Sequence, residues 1–94
     1  MKINSIRRKI DKIDRKIVNL VGERFRLVGE IGEIKKKSGL KVFDKKREDS
    51  IMETVSEEAK RVGIDENMLK KIYKIIFAES RKSQGGPRGE NLVQ

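Results

Sequence analysis

The chain has 94 residues, of which 41% are charged and 35% apolar, with a formal net charge of +9. That length holds one domain at most, and the lack of cysteine and histidine excludes disulfides, thiol chemistry, thiolate–zinc sites and imidazole acid–base catalysis. The N-terminal stretch MKINSIRRKI is charged throughout and no segment approaches ~18 apolar residues, so neither a leader nor a membrane span is expected and the protein is read as cytoplasmic and soluble.

The first predicted element is a long helix from about Ile3 to Lys37. Ile3, Ile6, Ile10, Ile13, Ile17, Leu20, Arg24, Leu27, Ile31 and Ile34 recur at spacings of three and four, the seam of a helix packed along its whole length. At ~1.5 Å per residue it is about 45 Å long, more than the rest of so short a chain can cover, so a two-fold homodimer is expected. Gly22, Gly29 and Gly32 lie inside it. Each weakens the helix by roughly 1 kcal/mol relative to alanine, and their spacing suits either tolerated glycines or a close approach by another helix or a ligand. Ser38-Gly39 ends the helix, with Lys35, Lys36 and Lys37 at its negative end.

A short loop over 38–43 leads to Asp44, the expected N-cap of a second helix that runs to about Val62, with Ile51, Met52, Val55, Ala59 and Val62 on its inner face and Gly63 as its stop. Asp65 caps a third helix, to about Gln84, with Leu69, Ile72, Ile75 and Ile76 facing inward. Gly85-Gly86-Pro87 ends helical structure, and residues 85–94 read as a flexible tail to a single all-α domain over 1–84.

Each inner face also carries polar groups. Arg24 occupies a core slot of the first helix, where a guanidinium costs several kcal/mol unless an anion meets it. Lys35, three turns on, projects within ~20° of the same side. Extending the inner face of the second helix backwards reaches Glu48 and then Asp44, beside Arg47; extending the third forwards reaches Ser80 and then Gln84. Taken singly, ordinary readings serve: an internal Arg24–Glu48 ion pair, solvated first-turn charges at Arg47 and Glu48, Lys35 in its lysine run, Ser80 and Gln84 in a fraying last turn. Taken together, three helices turn polar where they could meet, the pattern of a buried polar pocket. It holds no nucleophile–base pair and no metal-ligand cluster. Fixed donors of this kind suit a small dicarboxylate bearing a hydroxyl, and a reaction helped by orientation and electrostatics.

These residues resemble the AroQ-type, all-α chorismate mutases over about residues 4–84. The matching segments are Ile6–Asp14 (IRRKIDKID), Glu23-Arg24, Gly32-Glu33-Ile34-Lys35, Asp44–Glu48 (DKKRE), and Glu79-Ser80 with Gln84. No single segment is specific, but the ordered set is, and no site position of the family is replaced by an incompatible residue. The resemblance implies an interlocked three-helix homodimer that converts chorismate to prephenate, toward phenylalanine and tyrosine, without a cofactor or metal. It implies that Arg24 and, from the partner subunit, Arg7 grip the two carboxylates. Lys35 and Gln84 donate to the ether oxygen, Glu48 with Asp44 nearby orients the ring hydroxyl, and Arg47 and Ser80 complete the binding shell.

One of these assignments has a geometric check. Arg7 and Arg24 lie about 25 Å apart along one helix, so both reach one small ligand only if Arg7 comes from another, antiparallel chain. Two rival readings stand beside the mutase. An isochorismate–pyruvate lyase resembles the same fold and site. A basic helical dimer that binds nucleic acid leaves Arg24 unexplained; the only aromatics are Phe25, Phe43, Tyr73 and Phe77, and no basic run exceeds Lys35–Lys37. No contact with nucleic acid or membrane is expected, and a chain of this length leaves no room for a fused enzyme domain.

Overall fold

A computed structural model describes residues 2–85, so the expected tail, apart from Gly85, lies outside the described residues. Three helices account for most of it: α1 Lys2–Ser38, α2 Lys45–Val62 and α3 Glu66–Ser83. Their ends follow from local chemistry. Gly39 adopts φ +70°, and the Leu40 amide donates to the Lys35 carbonyl at 2.9 Å, closing α1 with a Schellman turn. Asp44 caps α2 by accepting from the Arg47 amide at 3.0 Å. Gly63, at φ +77°, ends α2, with the Ile64 amide donating to the Ala59 carbonyl at 3.0 Å. Asp65 accepts from the Asn67 amide at 2.9 Å and starts α3. The turn between Val62 and Glu66 is so short that α2 and α3 form an antiparallel hairpin. Glu66 ties its closed end, 3.0 Å from Lys70 and 3.8 Å from Lys60.

The core is small. Val55, Ala59 and Phe77 are its buried apolar side chains among the described residues, and Tyr73 meets Phe77 edge to face at 6.0 Å. The seam of α3 therefore runs through Tyr73 and Phe77. The expected inward positions Ile72 and Ile75 are 44% and 67% exposed, and Val62 at the end of α2 is 52% exposed. Of the four inward positions expected on α3, Leu69 and Ile76 are partly covered, while Ile72 and Ile75 give way to Tyr73 and Phe77.

Helix α1 meets the hairpin only with its C-terminal third. Gly32 is its one buried residue, and Arg24, Phe25, Val28, Gly29 and Lys35 are partly covered. From Lys2 to Glu23 every residue is exposed, including Ile6, Ile10, Ile13 and Ile17, each left about half accessible. The molecule is accordingly elongated, 56 × 30 × 22 Å.

Candidate active site

Where the C-terminal third of α1 crosses the open end of the α2–α3 hairpin, the three helices enclose a cleft of about 290 Å³, at the small end of the range for small-molecule sites. Arg24, Lys35, Asp44, Arg47, Glu48, Ser80 and Gln84 all line it. Val28, Ile31, Val42, Ile51 and Phe77 supply its apolar wall, and Arg81 lies among the polar groups. Arg7 is not at the cleft; it sits far along the exposed part of α1.

Each polar side chain is held by a neighbour. Arg24 Nη1 donates to Ser80 Oγ at 2.9 Å, and Ser80 Oγ donates in turn to the Ile76 carbonyl at 2.6 Å. Ser80 is buried. Its hydroxyl proton is committed to its own helix, so its lone pair faces Arg24 and fixes the guanidinium at the cleft wall. Lys35 Nζ donates to the Val42 carbonyl at 2.9 Å, using one of the three ammonium donors and tethering that ammonium to the α1–α2 loop. Asp44 is occupied as the α2 cap. Arg47, one turn on, is exposed at the cleft edge.

The internal Arg24–Glu48 pair that the sequence allowed does not form. Glu48 is instead gripped by Arg81, whose Nε and Nη2 reach its two oxygens at 3.0 and 2.7 Å. Sequence reasoning passed over Arg81. The signal lay one turn back: Arg81 follows Phe77 by four residues, and Phe77, buried on the inward side of α3, was not among the expected inward positions.

Gln84 closes the cleft as the residue after α3. Its Nε2 makes a long contact, 3.5 Å, to the Ser80 carbonyl. Its Oε1 is buried without a hydrogen-bond partner among the described residues. Its backbone rests on Gly32: a Cβ there would lie 2.7 Å from Gln84 Cα, too close to exist unshifted, whereas Gly22 and Gly29 have nothing within 4 Å of theirs. Of the three helical glycines, Gly32 alone marks a close approach within the protomer.

The cleft's charge is unbalanced. Arg24, Lys35, Arg47 and Arg81 oppose Asp44 and Glu48, a surplus of two positive charges that complements a dianion. Among the described residues there is no group of three or more Asp and Glu side chains that could hold a metal ion, and no helix is long and apolar enough to cross a membrane.

Comparison with known proteins agrees with this chemistry. Residues 6–85 match the family model for chorismate mutase type II. A chorismate mutase of Methanocaldococcus jannaschii is 36% identical over 83 residues, which make up 88% of this chain and 84% of that protein. A T-protein of Enterobacter agglomerans is 28% identical over 82 residues, 87% of this chain and 22% of that protein. A bifunctional chorismate mutase/prephenate dehydratase of Buchnera aphidicola is 31% identical over 80 residues, 85% of this chain and 21% of that protein. The chain thus spans about a fifth of those two longer relatives. The comparisons support neither the lyase nor the nucleic-acid reading. With a matching region that spans all three helices and every residue lining the cleft, the chain belongs to the chorismate mutase type II family.

Proposed function

We propose that the cleft between α1, α2 and α3 carries the rearrangement of chorismate to prephenate, the branch step toward phenylalanine and tyrosine, and that the working unit is a homodimer. The observation that carries the proposal is the convergence of seven polar side chains, drawn from the three helices and their ends, on one cleft: Arg24, Lys35, Asp44, Arg47, Glu48, Ser80 and Gln84.

The reaction is a concerted [3,3] shift in which one C–O bond breaks as one C–C bond forms. It moves no proton and needs no covalent intermediate, so the protein acts by holding the enolpyruvyl arm over the ring and by meeting the charge that develops. Arg24, braced by Ser80, binds one substrate carboxylate. Arg7 of the partner subunit binds the other, delivered by the exposed N-terminal part of α1 once that stripe is buried against a second copy. Glu48, with Asp44 nearby, accepts from the ring hydroxyl, and Arg47 closes the edge of the cleft. Lys35 and Gln84 donate to the ether oxygen, where negative charge grows as the C–O bond breaks. Their contacts strengthen in the transition state, which raises kcat rather than only tightening substrate. The Gln84 amide is free to turn Nε2 into the cleft because its present contact is long. Residues 1–84 then constitute one catalytic domain.

The deciding experiment follows the loss of chorismate absorbance with purified protein and identifies product by acid conversion to phenylpyruvate. Catalysed formation of prephenate is the expected outcome. A folded dimer that leaves chorismate untouched overturns the assignment, and salicylate from isochorismate would move it to the lyase.

A further inference from the structure

We infer that Arg81 is a positioning residue for this reaction: it sets the Glu48 carboxylate in the orientation that receives the substrate hydroxyl and pins the α1–α2 loop over the cleft. The inference rests on the proposed role of Glu48. Arg81 leaves α3 one residue after Ser80 and grips both Glu48 oxygens, at 2.7 and 3.0 Å. Its guanidinium also lies over the Phe43 ring, 4.6 Å from the centroid. Phe43 immediately precedes the Asp44 cap, and Glu48 lies on the first turn and a half of α2. These are the two positions that in a hydrophobic staple touch each other and set the angle at which the chain enters a helix. Here a cation from another helix sits between them and does that work.

Two consequences reach the cleft. A carboxylate offers about four lone-pair sites; the two-pronged grip takes one on each oxygen, so rotation of the carboxylate is stopped while sites remain for a substrate hydroxyl. The ring contact also holds the loop whose Val42 carbonyl receives Lys35 Nζ at 2.9 Å. With Arg81 and Glu48 side chains 34% and 20% exposed, water competes only in part for the pair.

A double-mutant cycle tests this on the full chain. Arg81→Met keeps the aliphatic stem and removes the grip, Arg81→Lys keeps the charge without the fork, and each is made alone and with Glu48→Gln. Dimer content and melting are recorded alongside kcat/KM. Arg81→Met is expected to lower kcat/KM about 10- to 100-fold, the range of lost charge-assisted hydrogen bonds, and Arg81→Lys by less. In the Glu48→Gln background Arg81→Met should change kcat/KM less than about threefold, because residues acting through one group are not additive. Losses that multiply, or full activity in both Arg81 variants, overturn the positioning role while leaving Glu48 in place. Full activity of Glu48→Gln alone removes the role of Glu48 and this inference with it. Should Arg81→Met fail to fold, the same cycle is read with Arg81→Lys.

Discussion

The two parts of α1 carry one hydrophobic stripe but live in different surroundings. From Arg24 onward the helix finds partners in its own chain: Ser80 beneath Arg24, the Val42 carbonyl beside Lys35, the Gln84 backbone on Gly32. Before Arg24 it finds none among the described residues, and Ile3, Ile6, Ile10, Ile13 and Ile17 stand about half exposed. At roughly 25 cal/mol per Å² of apolar surface removed from water, a row of five isoleucines is a strong reason for a second copy to cover it. What the second part gains within the chain are contacts to its polar and glycine positions; its apolar stripe stays open too, with Leu27, Ile31 and Ile34 48%, 48% and 61% exposed. The cleft sits where the two parts meet, and Arg7, which the proposed mechanism takes from a partner subunit, lies on the part without contacts in its own chain.

The largest effects are expected on the intramolecular side. Lys35→Ala removes the cation proposed to meet the oxygen where charge develops, and Arg24→Ala removes the proposed carboxylate anchor that Ser80 braces. Each should lower kcat/KM about 10³-fold or more, the scale of losing a preorganised transition-state donor, with the helical circular dichroism unchanged. Turnover within tenfold of wild type in either variant would remove that residue from the proposed machinery.

The intermolecular side is tested next. Arg7→Ala should cost about 100-fold, as for one charged contact to a carboxylate, although Arg7 touches nothing in the cleft of its own protomer. Co-expression of Arg7→Ala chains with Lys35→Ala chains sharpens the point. In the mixed dimer one cleft receives both defects and the other neither, so random assortment returns about a quarter of wild-type activity from two nearly inactive parents. No recovery, with mixed dimers demonstrated by two affinity tags, would place Arg7 outside the partner's cleft.

What could be read from the sequence, and what could not, follows the range of the interactions. Helix ends were legible because their causes are local: Asp44 and Asp65 bond amides within three residues, and Gly39 and Gly63 take the left-handed conformation that side-chain-bearing residues resist. The polar lining was legible because stepping by threes and fours along each helix leads to it. The seam of α3 was read correctly at Leu69 and Ile76 but not at Ile72 and Ile75, because Tyr73 and Phe77 offer a second apolar line beside them and periodicity alone does not rank aromatic against aliphatic packing. The Arg81–Glu48 pair joins residues 33 positions apart, with no spacing rule to announce it. It took the carboxylate that the sequence had offered to Arg24.

Gln84→Glu replaces a neutral donor with a group that donates only when protonated. As the carboxylate it opposes the charge growing on the ether oxygen; as the acid it offers an O–H in place of the amide. The variant should be slow at neutral pH and gain about tenfold in kcat per unit of falling pH until the carboxyl, with an ordinary value near 4.3, is protonated. Wild type lacks that group and should not show this rise. A flat profile for the variant would show that position 84 does not face the reacting oxygen.

The smallest effect separates two glycines of α1 that look alike in sequence. Replacing glycine by alanine inside a helix normally stabilises it by about 0.5–1 kcal/mol. Gly29→Ala should do so, since its new methyl meets nothing within 4 Å. Gly32→Ala should not. Its methyl would lie 2.7 Å from Gln84 Cα, with Cβ and Cγ at 3.1 and 3.2 Å, and a backbone atom cannot swing aside as a side-chain tip can. Overpacking of this kind costs about 1–3 kcal/mol, which cancels or outweighs the helical gain. Relief of the strain is expected to push Gln84 away from α1, and a displacement of about 1 Å at a group with its proposed transition-state role should lower kcat about 10-fold. Melting temperatures at one protein concentration and kcat for both variants decide it. Equal stabilisation with full turnover in both would mean that Gly32 does not set the position of Gln84.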